Sequence, residues 1–496
     1  MRGSRATLAR GKWVEGRGPA VVVTEPATGR VLGELAAASP QDVDDAVAGA
    51  IDAADRLEAL TFFERAELLH RTADLIDERR SELSEQLSRE SGKPLVAEAV
   101  DELTESAEIF RLAAEEVKRL ETQVLPSADP AKRVFTFRKP NGVYALITPW
   151  NFPMNIPAEL LAAALAAGNP AILKPSEETP LSAMALGEAA CEAGFPDGSV
   201  SIVHGGRLVG EALVTHPGVD GIGFVGSHGA GEAIVRAAGL KRTIIEGSGN
   251  GPQIICDDAD LDAAAAAAVF GARYASGQCC VATERLLVQA SVHDEVVGRL
   301  LDHASQVVLG DPLDGATTLG PLNNQAVAVK MDEHVADGVA RGAEVLVGGR
   351  RAPGHPTDLF YELTIVDHVG TDSRLFNDES FGPVVPITVF ETDEEAIALA
   401  NQSSLGLQAA VFTSSLSRAY RYIDQIRAGT IVVNDSTSFW ETHPPFGGAS
   451  RTRSGWGRIG GRFTLLDMTD IRTAVLDLSN TREGWSGRPG PPLGTA

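Results

Sequence analysis

The sequence predicts an α/β protein with two parallel-sheet units, and three observations carry that expectation. At 496 residues the chain exceeds what one hydrophobic core ordinarily organises. From Gly142 short apolar runs alternate with helix-like segments as far as residue 245, which implies parallel strands joined by crossover helices. After Pro252 a second series of the same kind begins.

Taken in order, residues 1–35 read as a Gly-rich surface arm with a turn at Pro26-Ala27-Thr28-Gly29. At Ser39-Pro40-Gln41-Asp42 the pattern becomes helical, with a capping serine, a first-turn proline and an acid where the helix dipole favours it. Helices rich in Ala, Leu, Glu and Arg follow to about residue 121, and their charged faces read as solvated surface. Residues 133–138 form an alternating ribbon that is marginal alone; an ordinary hairpin and pairing with another strand pair or subunit are both open. The first series places strands at 143–148, 171–174, 200–203, 221–225 and 242–245, with helices at 158–167, 181–193, 208–215 and 229–238. The second opens at Asp257-Asp258-Ala259-Asp260 with an Ala-rich helix, then strands at 285–289, 345–347, 387–390 and 430–433 and a helix near 294–308. From Asn480 Gly, Pro and Ser dominate, predicting a disordered tail.

A composition 44% hydrophobic and 22% charged supplies large cores in a soluble chain. A net charge of -24 repels polyanions, so nucleic acid and anionic membranes are poor partners. Cys191, Cys256, Cys279 and Cys280 are too few and too irregularly spaced for a disulfide framework or a zinc site. A reduced, cytoplasmic protein without a structural metal is the expectation. The first ten residues lack the apolar core of a signal peptide, and no run approaches the ~20 apolar residues of a membrane span.

Several residues that can do chemistry fall at strand ends. The pair Cys279-Cys280 follows Gly277-Gln278; a cysteine there is either a small buried hydrophobe or a thiolate nucleophile. Asn151, in Pro149-Trp150-Asn151-Phe152-Pro153, can donate to an oxyanion or simply brace a turn. Lys174 with Glu177, in Lys174-Pro175-Ser176-Glu177, can grip ribose hydroxyls or be solvated charge. Gly226 and Gly231 bracket Ser227 at a strand-to-helix turn where a backbone can approach phosphate. Glu246 ends a strand before Gly247-Ser248-Gly249-Asn250-Gly251, and partial burial can make it a general base.

Together with Glu379-Ser380-Phe381-Gly382-Pro383 and Pro445-Phe446-Gly447-Gly448, these motifs in this order and spacing resemble the aldehyde dehydrogenase superfamily over about residues 11–470. The resemblance implies two Rossmann-like doubly wound α/β domains plus a small β oligomerisation hairpin. Residues 1–124 and 141–247 would bind NAD, 248–447 would carry catalysis, 125–140 and 463–480 would supply oligomerisation strands, and 481–496 would be tail. It implies Cys280 as nucleophile, Glu246 as general base, and Asn151 with the Cys280 N–H as oxyanion hole. Cofactor contacts fall on Trp150, Lys174, Ser176, Glu177, Gly226, Ser227, Gly231, Glu379 and Phe381. The substrate pocket falls on Phe152, Ile156, Glu159, Cys279, Val281, Phe439 and Trp440. Glu177 favours NAD over NADP, since a carboxylate beside the adenosine ribose repels a 2′-phosphate. The implied partner is a small aldehyde, apolar, aromatic or a semialdehyde, and the implied assembly a homodimer or homotetramer.

Two departures bear on these expectations. The family commonly reads Glu-Leu-Gly-Gly-Lys where this chain has Glu246-Gly247-Ser248-Gly249-Asn250, which predicts a looser strand end at Glu246. Where many members carry an aromatic and a lysine, this chain has Glu159-Leu160. Three rivals remain at this stage: a CoA-acylating dehydrogenase, a catalytically retired NAD-binding homologue, and a Cys-His hydrolase.

Overall fold

Strands that are apolar on both faces need helices on both sides, and the first series folds accordingly. In the computed structural model, which describes residues 5–479, the strands Val200–Val203, Ala171–Lys174, Tyr144–Ile147, Gly221–Gly226 and Arg242–Gly247 lie side by side in that order, all parallel. The central strands are fully buried under the helices Asn155–Ala167, Pro180–Ala193, Arg207–Thr215 and His228–Ala238. The spatial order reverses beside Tyr144–Ile147, where open sheets of this type form their ligand crevice.

Both edges of this sheet are closed by segments from elsewhere in the chain. The expected surface arm contributes Arg5–Ala9, which pairs antiparallel with Val200–Val203 and buries Leu8 to 1% exposure. One apolar residue facing the core outweighs the arm's glycines. At the other edge Gly455–Trp456 pairs with Arg242–Gly247, opposing Gly455 to Glu246.

The second sheet runs Glu344–Val347, Thr364–Asp367, Val384–Phe390, Arg285–Gln289, Pro252–Ile255, Gln408–Phe412 and Thr430–Val433, parallel except at its first member. Only four residues separate Gly247 from Pro252, so the chain leaves the carboxyl edge of one sheet and at once enters the amino edge of the next. The two edges therefore face one another. Glu246 ends a strand, whereas Cys280 and Glu379 precede the strands Arg285–Gln289 and Val384–Phe390.

A third, antiparallel sheet pairs Lys132–Pro140 with Thr469–Asp477 over nine residues, with Val124–Leu125 on its other side. The ribbon's partner is thus the chain's own late strand. Val124, Ile471, Val475 and Leu476 stay exposed there. The expected disordered tail, 481–496, lies outside the described residues.

The acidic helices correct the reading of a solvated face. Glu90, Glu98 and Glu102 are 0–2% exposed. Glu90 accepts from Leu181 N and Ser182 N, and Glu102 Oε1 from Met154 N and Asn155 N. Each carboxyl supplies acceptors at the start of a neighbouring helix, where N–H groups lack intrahelical partners. Their signal in the sequence is spacing: Glu98, Glu102 and Glu105 share a helical face with the buried Ile109.

Candidate active site

The segment before Cys280 cannot adopt ordinary helix or strand geometry. Ala275, Ser276 and Gly277 lie consecutively in the left-handed region, with φ of 50°, 57° and 70°. Such strain persists only where the surroundings hold it. Glu98 Oε2 accepts from Ala275 N at 2.9 Å, and Ser276 Oγ donates to Gly320 O at 2.9 Å. Gln278 Oε1 accepts from Asn323 N at 2.8 Å. A Cβ on Gly277 would stand 2.0 Å from Gly382 O, so only glycine fits there. The next two residues divide by exposure: Cys279 is 4% exposed, while Cys280 is half-buried and open to a cleft.

Glu246 faces the same cleft from the first sheet. The predicted loosening at Glu246 does not occur, because ladders on both sides and Gly247 N donating to Ser454 O hold the strand to its end. Glu246 is 2% exposed, and its Oε1 has no hydrogen-bond partner. Burial pushes its carboxyl up to about 8, the Glu379 charge adding to the rise and contact with the Cys280 thiol opposing it. Hydrogen bonding to the Cys279 sulfur, burial and the Glu246 charge all push the Cys280 thiol above the ordinary cysteine range. Asn151 Nδ2 donates to Gln278 O at 2.9 Å, two residues before Cys280, which leaves its second amide proton for a ligand.

The cleft is walled by Phe152, Ile156, Glu159, Val281 and Trp440, with Cys279 and Cys280 at its side. Sequence reasoning missed Glu105, Asn155, Tyr274, Ser438, Phe446 and Ile459, which converge from five different segments. Phe439 is not part of it. Gln408 Nε2 donates to Phe439 O at 2.9 Å, pinning that backbone, and the side chain enters a separate surface groove beside Phe270 and Asn434.

On the other side of Glu246 lies a surface suited to a dinucleotide. Lys174 is buried and donates to Pro175 O and Gly205 O at 2.9 and 2.8 Å, which leaves its third proton for a ligand. Burial pushes it down to about 8, opposed by Glu177. Glu177 is exposed and lies over Gly206, where a Cβ would come within 2.4 Å of its Oε2. Gly206 and Ser227 cap the helices Arg207–Thr215 and His228–Ala238, whose N-termini favour phosphate; Ser176, next to Glu177, is half-buried. A Cβ on Gly231 would stand 3.0 Å from Ile245 Cγ2, so that helix sits tight on the sheet, and Gly226 ends the strand beneath it. Trp150 and Phe381 meet edge to face with centroids 5.5 Å apart, and Glu379 Oε1 accepts from Gly249 N at 2.8 Å. These donors, acceptors and helix ends fit a nicotinamide dinucleotide.

The aldehyde dehydrogenase family model matches residues 13–474. The chain belongs to the aldehyde dehydrogenase family. It is 35% identical over 473 residues to the mitochondrial succinate-semialdehyde dehydrogenase of Arabidopsis thaliana, covering 95% of this chain and 88% of that one. It is 36% identical over 479 residues to the NADP(+) succinate-semialdehyde dehydrogenase of Escherichia coli K12, covering 95% and 97%. Among solved structures, PnpE in complex with nicotinamide adenine dinucleotide superposes with a TM-score of 0.93 at 33% identity, covering 96% and 98%. The protein is an NAD(P)-dependent aldehyde dehydrogenase with the α/β architecture of that family.

Proposed function

We propose that this aldehyde dehydrogenase oxidises an aldehyde to the carboxylic acid by covalent catalysis at Cys280, with water as the final acceptor. The observation that carries this reading is the convergence on one cleft of Cys280 and the buried Glu246 carboxyl, whose Oε1 has no hydrogen-bond partner. Cys280 attacks the carbonyl carbon, and Asn151 with the Cys280 N–H stabilises the oxyanion of the thiohemiacetal. Bound NAD(P) supplies the hydride acceptor. Collapse of the thiohemiacetal expels hydride and leaves a thioester on Cys280. Glu246 takes a proton from water, which adds to the thioester carbonyl; the acid leaves and the thiol is restored. A CoA-acylating enzyme has little use for such a base. Among the described residues no histidine lines the cleft, which disfavours a Cys-His hydrolase.

The test is absorbance at 340 nm with purified protein, NAD or NADP, and an aldehyde panel, with and without CoA. Cofactor reduction without CoA, faster with NAD because Glu177 repels a 2′-phosphate, is the expected result; strict CoA dependence overturns it. The pH profile is a second test. With Glu246 near 8 and a base active only when ionised, about a tenth is active at pH 7. Hydrolysis-limited kcat should therefore rise roughly tenfold between pH 7 and pH 9.5 and level off, and Glu246→Gln should lower it by ~10²–10³-fold and flatten the profile.

The exposed apolar strip of Val124, Ile471, Val475 and Leu476 supports a homodimer or homotetramer, which sedimentation would report. Four free cysteines support a reducing compartment such as the cytoplasm. Among the described residues no helix is long and apolar enough to cross a membrane.

A further inference from the structure

We propose that the cleft beside Cys280 contains a cation subsite formed by Glu159 and Glu105, and that the preferred substrates are aldehydes bearing a positively charged nitrogen. The proposal rests on the reading of this cleft as the aldehyde site. Glu159, on the helix Asn155–Ala167, is 3% exposed, lines the cleft, and leaves its Oε1 with no hydrogen-bond partner. A buried carboxyl oxygen without a partner is costly, and its position on the cleft wall marks a place for a donor from outside the chain. Glu105, on the packed helix Val100–Val117, adds a second carboxyl, of which Asn155 Nδ2 occupies Oε2 at 2.8 Å.

No opposing charge is available in the wall. Among the described residues no lysine, arginine or histidine lines the cleft. Lys93, behind Phe152, is paired with Glu102 at 2.5 Å and lies 3.4 Å from the Phe152 ring centroid. The remaining wall is rich in aromatic faces, Tyr274, Trp440 and Phe446, which suit an alkylammonium. Burial, with Glu105, pushes Glu159 up to about 8 against a hydrogen bond from the Gly460 N–H, and burial, with Glu102, pushes Glu105 up to about 7 against Lys93 and Asn155; an entering cation relieves both. The unpartnered Trp440 indole N–H offers an anion one neutral donor, set among Glu105, Glu159 and Glu246. A substrate carboxylate gains no such attraction: it meets neutral carboxyls while they hold their protons and like charge once they ionise. This separates the chain from relatives named for succinate semialdehyde, whose substrate is an anion.

Two measurements on the purified full chain test the subsite. Calorimetry with the unreactive alcohol 3-aminopropan-1-ol, against 4-hydroxybutanoate, needs no turnover. Kinetics with 3-aminopropanal, its neutral counterpart butanal, and succinate semialdehyde read the reaction itself. The expected result is a kcat/KM for 3-aminopropanal at least ~10-fold above butanal and higher still above succinate semialdehyde, with the aminopropanal-to-butanal ratio falling at least ~10-fold in Glu159→Gln. Tighter binding of 4-hydroxybutanoate, a wild-type preference for succinate semialdehyde, or an unchanged ratio in both Glu159→Gln and Glu105→Gln overturns the proposal. Glu159-dependent binding of aminopropanol in a protein that oxidises no aldehyde would uphold the subsite while refuting the reaction assigned to Cys280.

Discussion

Replacing Cys280 with alanine is expected to lower aldehyde-dependent reduction of NAD by at least ~10⁴-fold while leaving NAD binding in place, because it deletes the only atom assigned to form the covalent bond. Cys279→Ala is the control that makes this specific. The two sulfurs are adjacent in sequence, and a simple requirement for a thiol in the loop would predict similar losses. The structure separates them: Cys279 is packed against the core at the side of the cleft, and its hydrogen bond with Cys280 favours the Cys280 thiol over the thiolate. Cys279→Ala should therefore keep dehydrogenase activity and move the pH dependence of the acylation burst, which the Cys280 thiolate sets, to lower pH, while the hydrolysis-limited kcat profile set by Glu246 stays in place. Stopped-flow release of reduced cofactor, with thiol titration of the protein, reads both effects. Activity surviving in Cys280→Ala and vanishing in Cys279→Ala would reverse the assignment.

Gly249→Ala should be nearly as damaging, although residue 249 touches no substrate. A Cβ there would lie 1.8 Å from the carbonyl oxygen of Cys280, and that oxygen is backbone that cannot swing aside. The same residue's N–H donates to Glu379. Overpacking of this kind costs ~1–3 kcal/mol in stability, and a displacement of about 1 Å at a reacting atom costs ~10²-fold in rate. The expected variant is folded, with a modestly lowered melting temperature, a loss in kcat/KM of about 10²-fold, and impaired binding of reduced cofactor. Ser248→Ala, one residue earlier, lacks this close approach. A Gly249→Ala enzyme with full activity would show that the link between the sheets can shift without moving Cys280.

Much of this protein was legible along the chain. The α/β alternation predicted both sheets because a strand buried on two faces must be continuously apolar, and this pattern is local. The cysteine, asparagine, lysine and glutamate motifs were legible for a similar reason: each occupies a strand end or the loop beside one, and punctuation of that kind survives in sequence. Helix starts such as Ser39-Pro40 also carry their own chemistry.

What the tertiary structure decided is what depends on contacts between distant segments. Gly455–Trp456 holds Glu246 in register from more than two hundred residues away, so the departure after Glu246 does not loosen it. Leu8 enters the core through pairing with Ile202, which no periodicity in a Gly-rich arm could announce. Phe439 turns away from the cleft because Gln408 pins its backbone. Glu98, Glu102 and Glu105 looked like a wet helical face, since a local pattern records charge but not what packs against it. Only the fold shows that the helix bearing Glu159 meets the helix bearing Glu105. The sequence supplied the groups proposed to react because their positions are local, and the fold supplied the pocket because its walls converge from separated segments.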